Sequence, residues 1–329
     1  MLLSIVIPVY NIRDYIKRNI ESFQNVDDKL KDKFELLIIN DGSTDDTLEV
    51  LDKLLINEKK LNIKIITKEN GGHGSAVNRG VEEATGKYLK IVDGDDWVDT
   101  IEFNIFLERL EKSKSDLIVT NYSEQHLYKN FVKNIKVFEG KDFFHSTEIF
   151  KIFPMHSITY KTDILVKNNI KLTERVFYVD TQFTIFPLKY VTCWEYWDLD
   201  VYQYFLGRPD QSMAMKNRLK NLNDHKIVSE SIFEFYDKLN PGELKDILCV
   251  FVKRLINSRF IFAFLSDDRD NLLKETYEYV NKYNIDYRFE KKQRISYLLY
   301  LNEKFNKNFS FIIYPLVRLK TNKLIRQGF

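Results

Sequence analysis

Four short apolar runs, each ending in a polar cluster and each followed by a helix-spaced segment, limit what this chain can fold into more than any other feature. Leu2 to Val9, Phe34 to Asn40, Ile63 to Thr67 and Lys87 to Val92 read as strands of a sheet covered on both faces, with Pro8 tolerable only near the end of the first. Between them, Asn11 opens a helix on which Tyr15, Ile16, Ile20 and Phe23 share a face. Ser43 or Thr44 caps a second helix carrying Leu48, Leu51 and Leu55, and a third helix, after Asn70-Gly-Gly, is closed by Gly86. Strand and helix alternate with short connections. That pattern predicts an α/β fold, a doubly wound, mostly parallel sheet with helices on both faces.

In such sheets ligands sit beyond the carboxyl ends of the strands. Every unusual cluster occupies that position: Pro8-Val9-Tyr10-Asn11, Asn40-Asp41-Gly42, Asn70-Gly71-Gly72 and Asp93-Gly94-Asp95-Asp96. The last places three carboxylates within four positions. Their repulsion is relieved by a hard cation bound through oxygen, Mg²⁺ or Mn²⁺, although an acidic surface turn is an equal reading of that cluster alone. Four polar loops arriving at one edge favour a nucleotide-diphosphate site.

Composition adds exclusions. The 329 residues are 44% hydrophobic and 14% aromatic, enough for one large or two ordinary globular domains. With 50 basic and 48 acidic residues the formal charge is +2, which argues neither for nor against nucleic acid; no nucleic-acid partner is expected. Cys193 and Cys249 lie far apart without C-x-x-C spacing, which suits reduced thiols in a cytoplasmic protein. The start, Met1 to Tyr10, lacks a basic n-region and reads as a first strand instead of a signal peptide, and no run is long enough to span a bilayer.

Further along, a helix near Ile101 to Lys112, a fifth strand from Asp116 to Asn121, hairpins and loops from Tyr122 to Phe150, and a strand-like return at Pro154 to Tyr160 are expected. His156 either touches substrate or is structural beneath the site. Beyond Met215 the pattern turns to long helices, so the expected division is 1–215 and 216–329, the second part all-helical. There Asn240-Pro-Gly-Glu243 starts a helix with Pro at N1 and Glu at N3, followed by a face of Leu244, Ile247, Leu248, Phe251 and Leu255. Residues 304–329 carry Lys304, Lys307, Arg318, Lys320, Lys323 and Arg326 with no acid, interleaved with aromatic and aliphatic residues. This segment is compatible both with peripheral contact at the inner face of the cell membrane and with a last helix packed on its neighbours with a solvated basic edge.

Ser4-Ile-Val-Ile-Pro-Val-Tyr-Asn11, Ile39-Asn-Asp-Gly-Ser-Thr-Asp45, Asn70-Gly-Gly with Ala76 to Asn78, and Val92-Asp-Gly-Asp-Asp-Trp97 resemble, in order and spacing, the motifs of family 2 glycosyltransferases with the GT-A fold, of the bacterial type with a C-terminal helical extension. The resemblance implies that Pro8, Tyr10 and Asn11 line the donor's nucleobase side and that Asp41 accepts from the base, which suits the imide N–H of uracil and hence UDP. It also implies donor contacts from Asn70 and Gly71 and a D-x-D pair in which Asp95 is the closer metal ligand. Asp93 contacts ribose or water at the metal, and Asp96 faces the donor sugar. Many relatives have Ala-Arg-Asn where this chain has Ala76-Val77-Asn78, so no phosphate-facing arginine carries over; His73 or Arg79 could substitute. Trp97 is either an anchor of the loop or a sugar platform.

Two further segments carry the resemblance. Tyr178-Val-Asp-Thr-Gln-Phe183 is similar to the family's Glu-Asp motif, with Val179 in place of the first acid; it implies Asp180 as the general base, although a helix-start Asp is also an ordinary N-cap, and Glu174 is held in reserve. Val201 to Ser212 resembles the segment that follows the base in bacterial relatives, in which Arg208 either clamps the diphosphate or is a plain surface residue. The expected function is then inverting, metal-dependent transfer of a sugar from a UDP-sugar to a hydroxyl of a glycan, glycolipid or glycoprotein, with Mn²⁺ or Mg²⁺ as cofactor. A sugar-nucleotide nucleotidyltransferase and a non-catalytic nucleotide- or glycan-binding protein are the alternatives. A homo-oligomer is compatible with the sequence.

Overall fold

The computed structural model describes residues 1–126, 130–139, 143–146, 151–207, 220–285, 294–305 and 309–326. The chain forms two compact units, Met1–Gln211 and Ser212–Phe329.

In the first unit the four expected strands are present as Leu3–Val9 (β1), Phe34–Asn40 (β2), Asn62–Thr67 (β3) and Tyr88–Ile91 (β4), paired in parallel in the order β3-β2-β1-β4. Alternation along β1 explains why both faces must be covered. Leu3, Ile5, Ile7 and Val9 join one core with Ile16, Ile20 and Phe23 of α1 (Ile16–Gln24), Leu51 of α2 (Thr47–Leu55) and Phe103, Phe106 and Leu110 of α4 (Thr100–Leu110). Val6 points the other way, toward Gly80 of α3 (Gly72–Glu83).

The sheet continues through Ile158–Lys161 (β9), Leu117–His126 (β6), Trp194–Phe205 (β10) and Trp97–Val98 (β5), which pairs antiparallel with Tyr202 and Gln203 of β10, with Phe131–Ile135 (β7) beside β6 and Phe143–Ser146 (β8) beside β10. Here directions are mixed. β9 is antiparallel to both β4 and β6, β7 is antiparallel to β6, and only β6 and β10 run parallel. The parallel expectation holds for the first hundred or so residues because burial on two faces was legible there, whereas periodicity carries no information on strand direction. Two short helices, Thr162–Lys167 (α5) and Asp180–Ile185 (α6), complete this unit.

Several helix ends differ from expectation. Asn11 does not open α1: it sits at φ 52, left-handed backbone that Asn tolerates, and the helix begins at Ile16. Neither Ser43 nor Thr44 caps α2; Asp46 precedes it, and the hydroxyl of Ser43 instead accepts from the Asn11 amide at 3.1 Å. Gly86 does not close α3, which ends at Glu83, but donates its amide to the Ser4 hydroxyl at 2.8 Å.

The second unit contains Leu222–Asp237 (α7), Glu243–Leu265 (α8), Arg269–Lys282 (α9), Arg294–Lys304 (α10) and Ser310–Arg326 (α11), with α8 touching each of the others. Pro241 lies outside α8, which starts at Glu243 after Gly242. Its most buried row is Leu248, Val252, Ile256 and Phe260, one step around from the expected face. A helix surrounded by neighbours has no single apolar side for periodicity to find.

Candidate active site

The four polar loops at the carboxyl ends of β1 to β4 are tied to one another by hydrogen bonds. Asp41 donates its amide to the Val9 carbonyl at 2.9 Å, and Lys68 donates its amide to the Asn40 carbonyl at 3.0 Å. Asn11 joins the first two loops through its side-chain oxygen, which accepts from the Thr44 amide at 2.8 Å. The Asn70 side chain donates to the Asp41 carbonyl at 2.9 Å. Gly94 donates its amide to the Pro8 carbonyl at 3.3 Å; a Cβ there would lie 3.0 Å from the Pro8 carbonyl oxygen and 2.4 Å from the end of the Ile12 side chain, so glycine eases the approach of the fourth loop to the first. Pro8, Asn11, Asp41, Asn70, Gly71 and Asp93 are thereby brought to one edge, with Tyr10 about half exposed at the end of β1.

Asp41 is buried and already well supplied with donors. One carboxylate oxygen accepts from Lys68 at 2.7 Å and from the Gly71 amide at 3.0 Å, the other from the Gly72 amide at 2.7 Å. Two lone pairs per oxygen leave one acceptor position on the second oxygen. The glycine loop thus holds Asp41 by its backbone.

The acidic cluster divides. Asp93 stays partly exposed, and its carboxylate pairs with the His73 imidazole at 2.8 Å. Asp95 borders a cleft with Tyr15, Arg18 and Phe205. Asp96, expected to face a donor sugar, is withdrawn instead: it is 1% exposed, accepts from the Phe205 amide at 2.8 Å and from the Tyr202 hydroxyl, and so ties the loop to β10. Burial, then repulsion from Asp95 and Asp93, raises its pKa well above the ordinary carboxylate value and favours the neutral form. The Asn19 side chain bridges the carbonyls of Asp93 and Asp96 at 3.1 and 2.9 Å. Trp97 packs against Phe205, with the Arg18 guanidinium 4.5 Å over its ring, an anchoring position.

The loop that carries Asp180 is clamped to α3. Asn78 accepts from the Leu172 amide at 2.8 Å and returns its own amide to the Leu172 carbonyl at 2.9 Å. Arg175 donates its amide to the Gly71 carbonyl at 2.6 Å, and Gln182 of α6 exchanges two hydrogen bonds of 2.8 Å with Thr173. Asp180 is the first residue of α6, after Val179, and is not its N-cap. Its side chain reaches solvent, but the surrounding protein raises its pKa, with Asp93 adding to the effect and His73 opposing it. His73 responds in the opposite sense. Desolvation disfavours its charge, yet Asp93, Asp180 and Asp95 together hold its pKa above the ordinary histidine value. One imidazole acted on by three carboxyl groups is the electrostatic centre of the site.

This clamp gives a testable consequence at Gly74. A Cβ there would lie 2.3 Å from the Thr173 carbonyl oxygen, a backbone atom that can move only by separating the loop from α3. Gly74→Ala is expected to cost about 1–3 kcal/mol in unfolding experiments. It should also lower by about 10²-fold any turnover that depends on Asp180, which this loop carries. Steady-state kinetics with an unchanged kcat would contradict the clamp.

A family model described as glycosyl transferase family 2 matches residues 4–168, a stretch that holds β1 to β4, the acidic cluster and β9. The chain belongs to glycosyl transferase family 2. Among its relatives is the uncharacterized glycosyltransferase YibD of Escherichia coli, 28% identical over 258 residues that cover 75% of this chain and 73% of YibD. Chondroitin synthase of Pasteurella multocida is 40% identical over 114 residues, 35% of this chain but only 11% of the synthase. Residues 1–349 of Staphylococcus aureus TarS, solved in complex with UDP-GlcNAc, superpose with a TM-score of 0.68 at 18% identity, covering 100% of this chain and 92% of that one. The mannosyltransferase PcManGT of Pyrobaculum calidifontis, solved with GDP-Man and Mn²⁺, gives 0.56 at 14% identity, covering 98% and 84%. The fold is therefore of the GT-A type, and this family 2 member is a glycosyltransferase, which sets aside both the nucleotidyltransferase and the non-catalytic binding protein.

The remaining residues of this glycosyltransferase's site are placed as follows. Arg208 lies outside the described residues. Arg79 pairs with Glu83 at 2.6 Å one turn along α3, whereas His73, near the start of α3, is turned onto Asp93. Glu174 accepts a 3.4 Å hydrogen bond from Asn78 and serves the clamp. His156 stacks on Tyr204 with centroids 4.3 Å apart and lies near Tyr202 and Tyr122; burial lowers its pKa to about 4 and favours the neutral form, and its buried Nδ1 has no hydrogen-bond partner among the described residues. Asn19, Tyr202 and Lys90 went unread in the sequence, although Asn19 and Lys90 left a signal. Asn19 is a polar residue in the buried face of α1, and Lys90 interrupts an otherwise apolar strand.

Proposed function

We propose that this glycosyltransferase moves a hexosyl group, with inversion, from a UDP-sugar to a hydroxyl of a glycan or glycoconjugate acceptor, using a divalent cation. The observation that carries the proposal is the meeting of His73, Asp93, Asp95 and Asp180 beside the loop that presents Asp41. Asp41 keeps one acceptor position for the uracil imide, and Pro8, Tyr10, Asn11, Asn70 and Gly71 frame the nucleoside side. Asp180 takes the acceptor's proton as that oxygen attacks the anomeric carbon, and a raised pKa makes a carboxylate a better base near neutral pH. His73 faces the leaving diphosphate and substitutes for the arginine that relatives carry at the position of Val77. The UDP-GlcNAc bound in TarS and the GDP-Man and Mn²⁺ bound in PcManGT support a nucleotide-sugar donor and a cation. We assign the chemistry to residues 1–215 and acceptor recognition to the helical region 216–329.

The residues present fit such a cation. With Asp96 withdrawn, Asp93 and Asp95 remain as oxygen donors, and Mg²⁺ and Mn²⁺ are commonly held by one or two carboxylates with the substrate's phosphates and water. Among the described residues no group of three acidic, His or Cys side chains is arranged around a metal position. Asp95 and Asp93 would hold the ion, which would supply neutralisation of the leaving diphosphate. It follows that ion and nucleotide should bind together. Calorimetric titration with UDP is expected to show Mn²⁺-dependent binding for the natural protein and about 10²-fold weaker binding for Asp95→Asn, the scale of losing one close charged ligand contact. Equal UDP affinity in the two proteins, with unchanged transfer by the variant, would remove Asp95 from the site.

A further inference from the structure

We propose that the outward face of α11 docks the protein on an anionic lipid surface, an interaction that goes beyond the transfer reaction. The helix has two apolar sides. Ile313, Val317 and Thr321 are buried, and Tyr314 packs on Phe264 with centroids 5.3 Å apart, so one side is used up within its own unit. On the other side Phe309, Ile312, Leu316 and Leu319 follow one another at three- and four-residue steps and stay 43%, 48%, 44% and 67% exposed, with Phe311 beside them at 74%. Phe305, at the end of α10, extends the stripe by an edge-to-face contact with Phe309 at 5.2 Å. Large apolar side chains in an uninterrupted exposed row mark an interaction surface.

Charge identifies the occupant. At 100° per residue Lys320 falls on one border of the stripe and Arg318 beyond Phe311 on the other, where it also lines a cavity with Asp267, Asp268 and Asp270; Lys304 stands exposed beside Phe305, and the segment 304–329 itself carries no acid. Cations along both edges of an apolar face are what an in-plane amphipathic helix presents to acidic headgroups, with the long basic stems reaching up from the interface. A second copy of the same face would instead bring the Lys320 border and the basic stretch around Lys304 together as like charges. No described helix is long and apolar enough to cross a bilayer, so contact in the plane of the surface is the mode that fits.

Vesicle flotation of the full chain tests this. The protein is expected to float with phosphatidylglycerol-containing vesicles, far less with pure phosphatidylcholine, and to be released by salt. Arg318→Gln with Lys320→Gln should lower partitioning by about tenfold or more, and Leu316→Glu with Leu319→Glu should abolish it. Both variants should keep the melting temperature and the donor hydrolysis of the natural protein measured without vesicles. If the glutamate pair disturbs folding, the glutamine pair decides. Equal flotation with both vesicle types, no flotation at all, or variants that partition like the natural protein would overturn the proposal. So would a dimer in light scattering that the glutamate pair converts to monomer, which would give the face to a second copy.

Discussion

Replacing Asp180 by asparagine is expected to lower sugar transfer by about 10²–10⁴ while nucleotide binding and melting temperature stay near their original values. The expectation rests on what the substitution leaves alone. Asp180 is the first residue of α6 and not its cap, and the loop beside it is held by Asn78, Gln182 and the Arg175 amide, none of which needs the carboxylate. Because the fold raises its pKa, the charged form is disfavoured in place, so a neutral amide of the same shape should not destabilise the protein. The same shift sets the pH response. The base works only when deprotonated, and the rate should fall with decreasing pH at a value above that of an ordinary aspartate. Rate, UDP affinity and melting measured on one sample separate the roles: a lost melting transition with a normal rate would mark Asp180 as structural.

Lys90 should dominate the pH dependence of stability. It is fully buried in β4, donates to the carbonyls of His156 at 2.8 Å and Ile158 at 3.3 Å, and lies 5.7 Å from the Tyr202 ring centre. Burial lowers its pKa from 10.5 to about 7. The unfolded chain therefore holds this proton more tightly than the folded one, and protonation favours unfolding. Stability from this source rises with pH between about 7 and 10.5 and is flat below about 7. The interval between the two pKa values corresponds to roughly 4–5 kcal/mol. In Lys90→Met that slope should vanish, and the two proteins' unfolding free energies, measured in urea across this range, should converge or cross as pH rises. Parallel curves would show that the amine is solvated or paired in the native state.

How much of this was legible in sequence follows from what periodicity and spacing can encode. β1 to β4 and the loops after them were readable because two-sided burial gives unbroken apolar runs and because each loop carries its polar residues at the strand end. The direction of β9 was not, since no local pattern records which edge a strand enters from. In the site, Asp93 and Asp95 were visible as carboxylates, but Asp96 looked the same as they did. Only β10, more than a hundred residues later, withdraws it through Tyr202 and Phe205. His73 was one of two substitutes that the glycine loop offered for the missing arginine, and only the packing of α3 places its ring on Asp93. The exposed row on α11 showed in composition as basic and aromatic residues together, but which side of the helix faced inward depended on α8 and α10.

The central claim, a UDP-sugar held for cation-assisted displacement beside Asp41, Asp95 and Asp180, is met most directly by measuring nucleoside diphosphate release from a panel of UDP-, GDP- and other nucleotide-linked sugars, with Mn²⁺ and again with a chelator. The account predicts UDP release from at least one UDP-sugar, dependent on the cation, and no comparable release from GDP-mannose. Release that chelation leaves unchanged, or that occurs only from GDP-linked sugars, would contradict it.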